Sequence, residues 1–254
     1  MPILKYLYDL VIPEKLRFKI YGCRNPSEVE ELRNAIFPSP KGSYSLKPYY
    51  DSNTIFVHIT KSAGTSIAKS LYGSLPYHYT ASQYQVIFGP KRFRKCFKYT
   101  FVRNPWDRIY SAFTYLKGGG WNEDDKKWAE DNLSGIDDFN VFILDWLTPK
   151  RLESHIHFWP QLKFLTDWKG KVLVDYIGHF ETIELDFQAI CLKTGLQGSL
   201  MHTNASNRNS YTDIYSEAAI AKVAYLYKKD IASFGYTFRS NPLHSPTEAL
   251  DSVK

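Results

Sequence analysis

The feature that most constrains the fold is a repeated order of buried strand, short polar loop and helix. Residues 54–59, TIFVHI, are β-rich and almost all apolar, which is typical of a strand buried on both faces. Residues 97–102, FKYTFV, predict a second strand of the same kind. Each strand is followed by an amphipathic helix, predicted over residues 65–72 and 106–116. This alternation predicts an α/β fold with a central parallel sheet flanked by helices.

Further elements extend this pattern into one main domain. A strand is predicted at residues 171–177, and helices are predicted at residues 28–36, 136–146, 152–165, 182–193 and 216–234, the one at 152–165 being interrupted by Pro160. The polar stretch 121–133, rich in Asp and Lys, is predicted to be a mobile loop. Residues 1–50 are expected to form an N-terminal leader that packs on the body, residues 51–239 the main domain, and residues 240–254 a disordered tail.

Composition narrows the class of partner without naming it. The net charge of +6 over 254 residues suggests an anionic partner, which could be a nucleotide, an acidic glycan, a membrane surface or nucleic acid. The three cysteines are far apart and form no CxxC pair, so neither a disulfide framework nor a metal site is predicted. Charged residues interrupt the first twenty positions, so no transmembrane segment is predicted there and only weak peripheral membrane contact is left open.

The first loop, TKSAGTS, has the composition of an anion cradle. A helix N-terminus leaves backbone N–H groups without partners and favours negative charge. Small residues at positions 62–64 let an anion approach the backbone, and the hydroxyls at positions 65 and 66 add donors. Lys61 precedes the only glycine of the loop, whereas a Walker A motif places its lysine after the second glycine, so an NTPase is disfavoured. The alternative is a plain strand–turn–helix corner with a solvated lysine.

The second loop begins with Arg103 at the carboxyl end of a predicted strand, where open α/β sheets bind ligands. A guanidinium can grip a phosphate through two N–H groups. Ser111 lies two turns into the following helix, on a flank that could share the same anion. Two structural alternatives stay open: Arg103 could pair with Asp107, and Ser111 could be a small packing residue.

Together the two loops carry a family resemblance. The segments HITKSAGTSI and FVRNPWDRIYSAF resemble the PAPS-dependent sulfotransferases, especially those that act on carbohydrates, and softer similarity extends the match to residues 53–238. In that family the first motif binds the 5′-phosphosulfate of the donor and the second binds its 3′-phosphate. The resemblance therefore implies 5′-phosphosulfate contacts for Lys61, Ser62, Ala63, Gly64, Thr65 and Ser66, and 3′-phosphate contacts for Arg103 and Ser111. The first motif departs mildly from the family pattern HIPKTGGTS, since Thr60 replaces its proline.

The resemblance also implies a P-loop-like nucleotide-binding fold and a reaction. PAPS is the expected co-substrate and PAP the product, the acceptor is a hydroxyl group, and a carbohydrate is the expected acceptor. No metal is required. Lys61 is expected to stabilise charge on the leaving phosphate, as in phosphoryl transfer. Eukaryotic relatives are usually anchored in the Golgi membrane, so the chain is expected to be a bacterial cytoplasmic enzyme or a form without that anchor.

Several side chains are candidates for the base that removes the acceptor proton. His78, in LPYHYTA between the two motifs, resembles a histidine of related sequences and titrates near working pH, although it could equally be a packing residue. His155 and His157 are candidates for acceptor contacts or for the base itself, and Glu123 is a weaker alternative. A later Asn- and Ser-rich loop resembles a family segment that closes near the nucleotide, through Asn204, Ser206 and Arg208.

Three competing functions remain to be weighed. A P-loop kinase or NTPase lacks support from the position of Lys61. A non-catalytic polyanion or nucleic-acid binder would explain the charge, but it predicts a continuous basic stripe, whereas the clearest basic cluster is residues 91–98, and it leaves both loops unexplained. A sulfotransferase fold that has lost activity is disfavoured because Lys61 and Arg103 are both present. No nucleic-acid partner is therefore expected.

Overall fold

A parallel sheet of three strands organises the described part of the chain. The computed structural model describes residues 20–34, 45–75, 77–200 and 210–239. In sheet order the strands are β1 (Thr54–Val57), β2 (Phe97–Val102) and β3 (Tyr176–His179). Strand β2 pairs in parallel with both neighbours, Val57 opposite Thr100 and Val102 opposite His179. Nearly all strand residues are buried, as expected for a parallel sheet flanked by helices.

Helices precede, separate and follow these strands. In chain order they are α1 (Pro26–Asn34), α2 (Lys47–Ser52), α3 (Gly64–Tyr72), α4 (Ala81–Phe88), α5 (Pro90–Lys95), α6 (Pro105–Lys117), α7 (Glu123–Leu133), α8 (Phe139–Val141), α9 (Gln161–Leu165), α10 (Ile183–Thr194), α11 (Glu217–Leu226) and α12 (Lys228–Phe234). Helix α8 continues as a π-helical turn, Phe142–Trp146. The predicted fold class, a central parallel sheet flanked by helices, is confirmed.

The first two strands each lead into a helix, which brings two loops to one edge of the sheet. Helix α3 begins at Gly64, directly after the loop that follows β1. Helix α6 begins at Pro105, and the side chain of Asn104 caps it by accepting a hydrogen bond from the N–H of Trp106 (3.1 Å). Because β1 and β2 are adjacent and parallel, the two loops lie side by side at the carboxyl edge.

Two strand predictions were wrong in their bounds. Strand β1 ends at Val57 rather than at residue 59. The third strand was predicted at residues 171–177, but it begins at Tyr176. The earlier part of that segment turns back on the chain, since Val172 forms an antiparallel bridge with Thr166. Parallel pairing with β2 begins at Tyr176. The residue before it, Asp175, accepts a hydrogen bond from the N–H of Lys98 with its side-chain carboxylate (2.8 Å).

The predicted mobile loop at residues 121–133 is largely a helix. Helix α7 covers Glu123–Leu133, and the side chain of Asn122 caps it by accepting a hydrogen bond from the N–H of Asp125 (2.8 Å). Its first turn holds three acidic residues, which interact favourably with the helix dipole. The acidic residues of this segment therefore form and stabilise the first turn of a helix, and the prediction of a loop was wrong.

Two long predicted helices are divided. The segment 152–165 consists of the 3₁₀ turns Arg151–Glu153 and Ile156–Phe158 followed by α9, because Pro160 cannot continue a helix. The segment 216–234 breaks at Tyr227, whose backbone (φ −107°, ψ 22°) departs from helical geometry between α11 and α12.

Several predictions fall on residues outside the described ranges. Asn204, Ser206 and Arg208 are among them, as are the tail 240–254 and most of the first twenty residues.

Helix α1 packs against α4 and buries Leu32. The domain boundaries at residues 50 and 239 stay predictions. None of the helices in the described ranges is long and apolar enough to cross a bilayer.

Candidate functional site

The loop after β1 is held in a strained conformation. Lys61 and Ala63 both have positive φ angles, 64° and 58°, which residues other than glycine seldom adopt. Gly64 lies against the ring of His58, so that a Cβ added at Gly64 would stand 1.6 Å from the ring Cδ2. The loop can therefore curl tightly over His58 only with glycine at position 64. His58 itself is buried, directly after β1.

The same loop fits an anion. Ser62 is 1% exposed, and its Oγ has no hydrogen-bond partner within the described residues. Helix α3 begins at Gly64, so its first turn presents the N–H groups that open a helix to this loop. Buried polar atoms are usually satisfied, so an orphaned hydroxyl beside a helix N-terminus points to a ligand with oxygen atoms.

Thr60, which replaces the proline of the family pattern, contacts the segment that follows Pro149. Its hydroxyl donates to the carbonyl of Ile156 (3.4 Å), a bond that proline could not make. The replacement therefore ties the loop to the segment that carries His155 and His157.

Arg103 joins the two loops. Its Nη1 donates to the carbonyl oxygen of Lys61 (2.9 Å), and its Nε donates to Asp107 Oδ2 (2.8 Å). The guanidinium carbon lies 4.1 Å from the centre of the Phe180 ring. The pairing of Arg103 with Asp107, left open by the sequence, is thus present, and the guanidinium lies at the carboxyl edge beside the first loop.

One face of α6 lines the site. Asp107, Ser111 and Tyr115 are spaced four residues apart and therefore share that face. Asp107 contacts Arg103, while the Tyr115 ring lies under Lys61, whose Nζ is 3.8 Å from the ring centre. Ser111 lies between Asp107 and Tyr115 in the four-residue spacing of this face.

His78 packs against His58, the residue that follows β1. Its Nδ1 lies 3.2 Å from the carbonyl oxygen of His58, and the two rings are 4.2 Å apart. A carbonyl only accepts hydrogen bonds, so Nδ1 carries the hydrogen and Nε2 is the basic nitrogen. Burial lowers the pKa of His78 below 6.5, which keeps this imidazole neutral near pH 7.

His155 is held between two partners. Its Nδ1 accepts the N–H of His157 (3.3 Å), and its Nε2 lies 3.4 Å from Asp125 Oδ1. Both ring nitrogens are therefore engaged, and burial lowers the pKa of His155 while the nearby carboxylate opposes that shift. This pairing ties the histidine segment to α7.

His157 is the most deeply buried of the three histidines. Its ring packs edge-on against Tyr115 (4.9 Å between centres), and its Nδ1 is buried with no hydrogen-bond partner in the described part of the chain. Burial lowers its pKa well below 6.5, and the charge of Lys61 lowers it further. His157 is therefore neutral and lies close to Lys61.

Two buried charges fix the segment that carries these histidines. Arg108 donates to the carbonyls of Thr60 (3.4 Å), His157 (3.3 Å) and Trp159. Asp230 accepts the N–H groups of Gln161 (2.6 Å) and Leu162 (3.1 Å). The segment is thereby anchored to both α6 and α12.

The sequence did not identify Tyr115 or Asp125. The four-residue spacing from Ser111 to Tyr115 along the predicted helix 106–116 could have revealed the first. Asp125 was hidden because its segment was interpreted as a loop. Glu123, proposed instead from that segment, has a side chain that is 92% exposed and forms only a long pair with Lys126, so the structure does not place it with the histidines.

Although histidines and a carboxylate gather here, no group of three or more His, Cys, Asp or Glu side chains within the described ranges is arranged to hold a metal ion.

Comparison with known proteins gives two matches. Residues 50–237 match the family model described as "Sulfotransferase family". An uncharacterised protein of Archaeoglobus fulgidus is 25% identical over 127 residues, which span 50% of this chain and 91% of that protein. No solved structure matches the chain significantly.

Proposed function

The chain belongs to the sulfotransferase family, and we propose that it transfers the sulfuryl group of PAPS to a hydroxyl group of a carbohydrate. The observation that carries the proposal is the hydrogen bond of 2.9 Å between Arg103 and the carbonyl of Lys61. It joins the cationic side chain that follows β2 to the backbone of the loop that follows β1, at one edge of the sheet. A donor with phosphates at both its 5′ and 3′ positions needs two such anion sites.

The donor side of the site rests on the two loops. The 5′-phosphosulfate would bind residues 61–66, with the orphaned Ser62 hydroxyl and the N–H groups at the start of α3 as donors. The 3′-phosphate would bind Arg103 and Ser111. Asp107 supports this assignment because it holds the guanidinium in place (Nη2 to Oδ2, 2.7 Å).

The chemistry assigned to the chain is positioning and charge stabilisation. When bound, PAPS supplies the sulfuryl group and a leaving phosphate that is stable at neutral pH. Lys61 stabilises the negative charge that develops on the leaving oxygen. His78 Nε2 accepts the proton of the acceptor hydroxyl, and its lowered pKa keeps it ready to do so at pH 7.

The acceptor class rests on the resemblance to carbohydrate sulfotransferases and on the side chains around the histidines. Trp128 lies 4.5 Å from the His155 ring, and Trp121, at the start of the same segment, is 65% exposed. Aromatic rings of this kind offer an apolar face together with a polar edge, which suits a sugar ring.

Calorimetric titration with PAP, the desulfated donor, tests this proposal. We expect wild type to bind PAP, and Lys61→Ala to weaken binding at least about 10-fold, since a charge-assisted contact is worth roughly 1.5–3 kcal/mol. Lys69→Ala, a change at an exposed lysine of α3, should bind like wild type. His78→Ala should keep near-normal PAP affinity while its turnover with a carbohydrate acceptor falls roughly 100-fold.

Two results would count against the proposal. A folded wild type that does not bind PAP would remove the donor site. Unchanged turnover in His78→Ala would remove that histidine as the base and leave the donor site standing.

A further inference from the structure

We propose that Asp125 is a positioning residue for sulfuryl transfer, which holds Lys61 through Tyr115 and the histidine cluster through His155. The inference rests on the proposed function and adds to it a residue from a segment with no assigned role. It depends on three contacts made by one carboxylate.

Asp125 projects from the first turn of α7 into the site. Its Oδ2 accepts hydrogen bonds from the Tyr115 hydroxyl (2.6 Å) and from the N–H of Trp121 (3.3 Å), and its Oδ1 faces His155 Nε2 (3.4 Å). Its side chain is 16% exposed, whereas the neighbouring Asp124 is exposed to solvent. The carboxylate thus joins α6, the start of α7 and the histidine segment.

The N-cap of α7 does not use this carboxylate. Helix α7 is capped by the side chain of Asn122, which accepts the backbone N–H of Asp125. Of the three contacts of the Asp125 carboxylate, one is local, to the N–H of Trp121 just before α7, and two reach other elements, Tyr115 on α6 and His155. The two contacts to other elements are therefore additional to those at the start of the helix.

The first branch from Asp125 leads to Lys61. The hydrogen bond to the Tyr115 hydroxyl fixes a ring whose face lies 3.8 Å from Lys61 Nζ. A ring held by its hydroxyl cannot swing away, and the ammonium gains a cation–π contact from it. Asp125 therefore restricts where the Lys61 charge stands, and a misplacement of about 1 Å can cost about 100-fold in rate.

The second branch leads to the histidines. Asp125 accepts from His155 Nε2, which leaves His155 Nδ1 to accept the N–H of His157. The groups that face these rings are the Asp125 carboxylate, the Lys61 ammonium, the buried Arg108 guanidinium, the Tyr115 hydroxyl and the other histidine rings, including His78. Asp125 is the anion among them, and its charge opposes the effect of burial on both His155 and His78.

The test uses Asp125→Asn, with Asp124→Asn as the matched control and Asp125→Glu as the conservative variant. Histidine ring protons are titrated by NMR in the full chain, and the ε-methylene resonance of Lys61, assigned with Lys61→Arg, reports the ring current of Tyr115. In Asp125→Asn we expect the titration midpoints of His155 and His78 to move to lower pH and the Lys61 resonance to move towards that of a solvated lysine.

Turnover of Asp125→Asn should fall on the order of 10-fold to 100-fold, while its PAP affinity changes less than about 3-fold. Asp124→Asn should match wild type, and Asp125→Glu should restore part of each signal.

The outcomes separate the two proposals. If Asp125→Asn folds and leaves both the histidine midpoints and the Lys61 resonance unchanged, the positioning role is wrong, whatever PAP does. If wild type fails to bind PAP, the proposed donor fails, and the NMR signals still decide whether Asp125 holds the two branches.

Discussion

At the scale of single residues, the site depends on a few positions where backbone and ring approach closely. His58 fills the space beneath the first loop and leaves no room for a side chain at Gly64. Lys61 and Ala63 accept unfavourable backbone angles in the same turn. Strain of this kind persists only where surrounding contacts impose it, and it is common at ligand sites. The sequence showed that residues 62–64 are small, but the reason for glycine at 64 required the position of His58.

Gly64→Ala tests this packing. The added methyl would lie 1.6 Å from the His58 ring, so either the ring or the loop must move. We expect the free energy of unfolding to fall by about 1–3 kcal/mol and PAP affinity to fall with it. Urea denaturation and calorimetry measure the two effects. Gly22→Ala, where a methyl meets nothing within 4 Å, is the control and should not be destabilised. Equal stability of Gly64→Ala and wild type would contradict the account.

At the scale of elements, the sequence predicted well where local chemistry decides and poorly where long-range contacts decide. Strand β2 and the cap of α6 follow from an apolar run and from Asn104-Pro105, both readable within a few residues. Strand β3 was misplaced because Asp175 and Lys98, 77 residues apart, set where pairing begins. Helix α7 was not predicted because the acidic residues of its first turn were interpreted as part of a polar loop.

Asp230→Ala tests how the histidine segment is anchored. Asp230 is fully buried and accepts two N–H groups at the start of α9, and its charge compensates that of buried Arg108. Its loss leaves the buried Arg108 cation without a compensating charge and two N–H donors without acceptors, so the free energy of unfolding should fall by about 3–5 kcal/mol. Asp131→Ala, at an exposed position of α7, should change it by less than about 0.5 kcal/mol. Urea titration distinguishes these values, and a small loss in Asp230→Ala would show that the segment is held by other contacts.

At the scale of the whole molecule, the site is assembled from residues that lie far apart in the chain. Lys61 contacts Arg103 through its backbone carbonyl and Tyr115 through its ammonium group. The Asp125 carboxylate contacts the His155 ring. The order of the strands made the first of these meetings predictable, because adjacent parallel strands bring their carboxyl ends together. The meeting of Asp125 with His155 was not predictable, since it depends on how α7 packs beside a non-helical segment.

The central claim is that the two loops bind the two phosphate-bearing ends of one nucleotide. The most direct test is to compare the affinities of PAP and AMP, which lacks the 3′-phosphate, in wild type and in Arg103→Ala. We expect wild type to bind PAP at least about 10-fold more tightly than AMP, and Arg103→Ala, confirmed as folded by circular dichroism, to lose most of that preference. Equal affinity of wild type for PAP and AMP, or a preference that survives in Arg103→Ala, would contradict it.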